Sequence, residues 1–175
     1  MFKSFASLAV AAATSFVATA PAEAASNHAH HQVLASTIGK AGVALFINHE
    51  TCWDRDSFGF YISSMQAMVV CQENKTSPDV VVAWTEEDYD TLRHEAQHMI
   101  QDCMIGGLGD DDLHSVYKHP VAFAQKHINP DYIQHIINVY GDQSDEVIIR
   151  ELEAFTVAAL NDPIEQARDI QKFCF

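Results

Sequence analysis

Five residues, His94-Glu95-Ala96-Gln97-His98, constrain this chain more than any others. They lie in the run Thr91 to Cys103, TLRHEAQHMIQDC, and the sequence around them reads as a helix. Thr85-Glu86-Glu87-Asp88 offers a threonine cap with acids in the first turn. Tyr89, Leu92, Ala96, Met99, Ile100, Cys103 and Met104 then recur at steps of three and four, until Gly106-Gly107 ends the pattern. Residues four apart share a helix face, so His94 and His98 point the same way. Two imidazoles so spaced can hold one zinc ion, and Glu95 can reach a water at that ion. The plainer alternative is a pair of surface histidines on an acidic protein.

The ends of the chain bear on where such a site would work. Residues 1–24 have the layout of a secretory signal peptide: Met1-Phe2-Lys3, an Ala-rich apolar run from Phe5 to Ala20, then the small-x-small site Ala22-Glu23-Ala24. The expected mature chain, residues 25–175, is long enough for one domain with its own core. Lys3 and Glu23 cancel, so the formal net charge stays at −14 after their removal. That acidity argues against a nucleic-acid groove. No later stretch is apolar for long enough to span a bilayer. Four cysteines, Cys52, Cys71, Cys103 and Cys174, behind such a leader read as two disulfides. Of three connectivities we favour Cys52–Cys71 and Cys103–Cys174, each worth about 3–5 kcal/mol in the chain-entropy treatment. The chain is expected to be secreted or periplasmic, and monomeric.

In chain order, Ser26 to His31 reads as a loose, histidine-rich leader. Val33 to Ile47 suggests a short helix and then a strand, broken at Gly39 and Gly42. Phe58 to Ile62 and Met65 to Cys71 are β-prone, with Ser63-Ser64 as a bend, and Val80 to Trp84 is a short strand or extended arm. Beyond the motif helix, the sequence predicts helices over Leu113 to His127 (open to a break at Pro120), Pro130 to Tyr140, Ser144 to Leu160, and from Pro163 to about Phe173. Gly109-Asp110-Asp111-Asp112 reads as a solvated turn, because the spacing of a calcium loop is missing. The expectation is an α+β fold: a small antiparallel sheet, then a mainly helical C-terminal part, with the motif helix in the middle.

A catalytic zinc ion needs a third protein ligand and an open position. The metzincin pattern would put glycine at position 101 and histidine at position 104, where this chain has Gln101 and Met104. The candidates are Glu151 and Glu153, embedded in the apolar helix VIIRELEAFTVAAL. They differ by about 200° around the helix, so one at most can face the metal. Centring the apolar arc on Ile148, Leu152, Phe155 and Ala159 puts Glu151 slightly nearer to it, and leaves Glu153 for solvent or Arg150.

H-E-x-x-H followed about fifty residues later by a helix reading E-x-x-A or E-x-E-A resembles the gluzincin metallopeptidases, in particular their small secreted members. The resemblance implies a zincin-like fold, His94 and His98 as two ligands of one catalytic Zn2+, Glu151 as the third ligand and Glu95 as the general base. The match covers two short helices. It departs at Phe155, where many members carry an aspartate that steadies a histidine ligand. The expected function is hydrolysis of peptide or protein substrates. The alternative is a catalytically silent zinc-binding or interaction module. The oxyanion donor could be any of His114, His119, His127, His135, Tyr132 and Tyr140, all between the two ligand segments.

Overall fold

A capping box starts the central helix: the Thr85 hydroxyl accepts from the Asp88 amide, and the Asp88 carboxylate accepts from the Thr85 amide. The structure, a computed structural model, describes residues 21–55 and 57–175. Among them are six helices: α1 Pro21–Lys40, α2 Glu86–Asp102, α3 Pro120–His127, α4 Pro130–Val139, α5 Asp145–Leu160 and α6 Pro163–Phe173. Three strands, β1 Ala44–Ile47, β2 Gly59–Ile62 and β3 Ala67–Val70, form one sheet in the order β1-β3-β2. The fold is α+β.

The sheet is mixed, where an antiparallel one was expected. β2 and β3 form an antiparallel pair joined by a 3-10 turn, Ser63–Met65, that closes through Gln66 in the left-handed region (φ 47°). β1 and β2 run in opposite directions, but β3 is inserted between them and so pairs with β1 in parallel. The Val80 to Trp84 arm forms no strand. The buried Gln72 side chain takes the place of a neighbouring strand, donating to the Val82 carbonyl (3.0 Å) and accepting from the Val82 amide (2.8 Å).

α2 is the inner element. Its apolar residues Leu92, Ala96, Met99 and Ile100 pack with Leu34 and Ile38 of α1, Met68 and Val70 of β3, and Ala167 and Ile170 of α6. A second core joins Ala124, Ile136 and Leu152 from α3, α4 and α5. Polar residues of α2 are buried as well: Gln97, Gln101 and Asp102 are at most 2 % exposed. The polar side is therefore enclosed too: Gln97 and Gln101 donate to Glu153 of α5, and Asp102 accepts from the Tyr61 and Ser63 hydroxyls and the Gly109 amide.

Two further expectations are corrected. The helix expected from Leu113 begins only at Pro120, because the backbone before it bonds elsewhere: the Val116 and Tyr117 amides to Glu153, and the Leu113 carbonyl to Arg150. The expected loose leader at Ser26 to His31 is helical. His31 is buried, stacks on Tyr89 at 4.1 Å and accepts from Arg93 at its Nε2, while Arg93 also donates to the Ala158 carbonyl. Burial lowers the His31 pKa to about 4, so the ring is neutral and can accept that bond. The expected signal peptide, residues 1–24, lies outside the described residues up to position 20, and positions 21–24 open α1. No described helix is long and apolar enough to cross a membrane.

Both favoured disulfides are present, Cys52–Cys71 and Cys103–Cys174, and suit an oxidising compartment. The first joins the loop after β1 to the end of β3. The second ties the end of α2 to the end of α6.

Candidate metal centre

His94 and His98 project from successive turns of α2 toward α5. Their Nε2 atoms are 3.0 Å apart. Glu151, on the first half of α5, reaches between them: Oε2 lies 3.2 Å from His94 Nε2 and Oε1 lies 3.4 Å from His98 Nε2. The structure thus brings together the two histidines and the carboxylate that helical phase slightly favoured, and these three residues form a group whose ligand atoms could share one metal ion.

The donor set can be tested against zinc. Bonds of 2.0–2.1 Å in a tetrahedron place ligand atoms about 3.3 Å from one another. The three spacings, 3.0 to 3.4 Å, match that edge. Glu151 Oε2 is buried and makes no hydrogen bond among the described residues, only the charge contact with His94. A buried carboxylate oxygen without a donor is costly unless a cation completes its surroundings. The residues fit the ion.

Electrostatics tie the group together. Burial disfavours the charged form of His98, but Glu151, Glu95 and Gln101 together outweigh it and push the pKa up to about 9. Burial also opposes ionisation of Glu151, and His98 and His94 overcome it, holding this carboxyl far below the usual range. Glu95 is 5 % exposed, and its pKa is raised, first by burial and further by the Glu151 charge. The Tyr61 backbone opposes that rise, and β2 passes close to the Glu95 side chain. That approach needs Gly59. A Cβ there would lie 2.6 Å from Thr91 Cγ2, 2.8 Å from the Val69 oxygen and 3.2 Å from Glu95 Cγ. The sequence had offered Gly59 only as part of a strand.

A cleft of about 340 Å³ opens over His94 and Glu95, walled by Phe58 and Gly59 on one side and by Tyr132, Tyr140 and Phe155 on the other. The size is at the lower end of small-ligand clefts. His98 and Glu151 are not among the residues that line it. Of the six donors considered from sequence, only the two tyrosines line the cleft. His114 contacts Asp112 at 3.0 Å, His119 stands at the N-cap position of α3 without a side-chain capping bond, and His127 packs on Phe123. Burial, and then the Glu151 and Glu95 charges, raise the Tyr140 pKa, so its hydroxyl keeps the proton it could donate. Burial pushes Tyr132 up to about 12.

Glu153 corrects the sequence reading. It meets neither solvent nor the Arg150 side chain. It is fully buried and accepts from Gln97, Gln101 and two backbone amides. Phe155, the departure from the gluzincin pattern, packs on the His94 ring at 4.3 Å, and His94 Nδ1 has no hydrogen-bond partner among the described residues. No curated protein and no solved structure is similar enough to match this chain. One family model, described as a domain of unknown function (DUF8637), matches residues 24–175, and the chain belongs to that family.

Proposed function

We propose that the protein is a secreted, zinc-dependent peptidase with a zincin-like fold, similar to the gluzincins. The observation that carries this reading is the convergence of His94 Nε2, His98 Nε2 and the Glu151 carboxylate at zinc-tetrahedron spacing, beside a buried glutamate and a cleft. When bound, zinc supplies Lewis acidity, polarising a scissile carbonyl and acidifying water. Glu95, with its raised pKa, takes the proton of the attacking water and delivers it to the leaving amine. Tyr140, still protonated, donates a hydrogen bond to the developing oxyanion. The aromatic wall at Tyr132 and Phe155 limits water around the peptide.

Metal analysis of the purified chain and digestion of a broad peptide library test this. Near-stoichiometric zinc and cleavage are expected. Glu95→Gln should keep the zinc and lose about 10²–10⁴-fold in kcat. Absence of zinc would refute both the enzyme and its rival. That rival, a zinc-binding module without hydrolysis, is favoured by one observation, the unbonded Nδ1 of His94. Zinc retention without cleavage of any library peptide would support the rival.

A further inference from the structure

The two histidines are held in different ways, and the difference lies in a buried network on α2 and α5. Gln101 is fully buried. Its Nε2 donates to Glu153 Oε1 at 3.0 Å and to the Arg150 carbonyl at 3.1 Å. Both of those groups can only accept, so the amide nitrogen must face them and the amide oxygen must face the other way. That oxygen lies 2.9 Å from His98 Nδ1. An amide oxygen also only accepts, so His98 Nδ1 must carry a proton. The neutral ring is then left with a lone pair on Nε2, the atom that meets His94 and Glu151.

Glu153 fixes the direction of the chain. Its Oε1 accepts from Gln97 Nε2, Gln101 Nε2 and the Val116 amide, each at 3.0 Å, and its Oε2 accepts from the Tyr117 amide at 3.1 Å. A carboxylate so surrounded offers no donor, and Gln101 cannot turn over without setting oxygen against oxygen. We infer that Glu153 is a positioning residue for the metal centre, acting through Gln101 to hold His98 in the tautomer and orientation that present Nε2. The inference rests on the metal-centre reading above. It accounts for a carboxylate buried two residues from the candidate ligand, and it makes His98 the fixed histidine. His94 has no such support.

The test combines zinc affinity with the state of one ring. In the wild-type protein without metal, at a pH where His98 is neutral, imidazole nitrogen shifts should place its proton on Nδ1. A proton on Nε2 overturns the inference, whether or not the protein binds zinc. Gln101→Met leaves Glu153 its bonds to Gln97, Val116 and Tyr117 but removes the relay. Zinc affinity, measured by competition with a chelating dye, should fall about 10- to 100-fold, with the Val116 and Tyr117 amides still protected from exchange. Glu153→Gln should lower affinity likewise, because the new amide can donate to Gln101 and invert it. Gln101→Met protein that folds and binds zinc as tightly as wild type overturns the inference. If wild type binds no zinc, the metal-centre reading fails, and the ring measurement still decides the tautomer. That measurement needs no variant to fold.

Discussion

Glu151 and Glu153 stand two residues apart on one helix and do opposite work. Glu151 faces the two histidines with an oxygen that lacks a donor, whereas Glu153 takes four donors and is sealed from water. Alanine should therefore separate them. Glu151→Ala should lower zinc affinity more than Glu153→Ala while leaving the metal-free fold largely intact. Glu153→Ala strands four buried donors and should cost on the order of 3 kcal/mol or more in urea unfolding. Equal effects on both readouts would refute the division of roles. The sequence contained half of this: helical phase could favour Glu151 over Glu153, but not foresee that Gln97 and Gln101 would need a buried acceptor. The metal-free pair also sets a pH signature. The pKa of His98 is raised from 6.5 to about 9, so its contribution to stability is complete below pH 6.5 and lost as pH rises through 9. The Glu151 pKa is depressed from 4.5, so its contribution is complete above 4.5 and lost only as pH falls through the folded value. Zinc must displace the His98 proton, so metal stabilisation grows over the window in which the pair fades. The difference in Tm between zinc-loaded and metal-free protein should widen from pH 6.5 to 9, as followed by calorimetry. A constant or shrinking difference would count against His98 as a ligand.

Elements were legible where their ends carry local chemistry. Thr85, Asn129-Pro130, Ser144 and Asp162-Pro163 each bring a capping side chain, a first-turn proline or both, and α2, α4, α5 and α6 begin where those residues predict. Elements were not legible where a distant partner decides. The stretch before Pro120 is irregular because Glu153 and Arg150 hold its backbone, and α1 extends back through His31 because that ring finds Tyr89 and Arg93 some sixty residues away. The start of α2 joins both kinds of information. Asp88 is the third residue of the capping box, but it is also buried and accepts from the Glu73 amide at 2.8 Å and from Gln72 Nε2 at 3.3 Å. It thus fastens the arm after β3 to the helix that carries the histidines. Thr85→Ala removes one capping bond and should cost about 1 kcal/mol. Asp88→Ala leaves three donors unmatched and should cost at least twice as much by chemical denaturation. If the two costs are equal, Asp88 is a cap and nothing more.

At the scale of the whole molecule, the site is held because α2 is braced at its middle and at its end by residues remote in sequence. At mid-helix, Arg93 joins the His31 ring of α1 to the Ala158 carbonyl of α5. At its end, Cys103 joins Cys174, with a sequence separation of 71. The Cys52–Cys71 bond, with a separation of 19, braces only the sheet and the loop beside it. Loop-closure entropy rises slowly with length, so the chain-entropy treatment gives about 4–5 kcal/mol for the long closure and about 3 kcal/mol for the short one. Position adds a second difference. Cys103 follows Gln101 by two residues and stands at the C-terminus of α2, so freeing it lets the last turn fray toward His98. Cys52 and Cys71 pack with Val69 and Phe60, away from the two histidines. Replacing Cys103 and Cys174 together by alanine should therefore lower both unfolding free energy and zinc affinity. The Cys52 and Cys71 double variant should lose about 1 kcal/mol less stability and keep its zinc affinity. Denaturant unfolding and dye competition on the two variants measure both quantities. Loss of zinc affinity in the Cys52 and Cys71 variant alone would show that the sheet, through the close approach of β2 to Thr91 and Glu95 at Gly59, governs the site more than the brace at the end of α2 does.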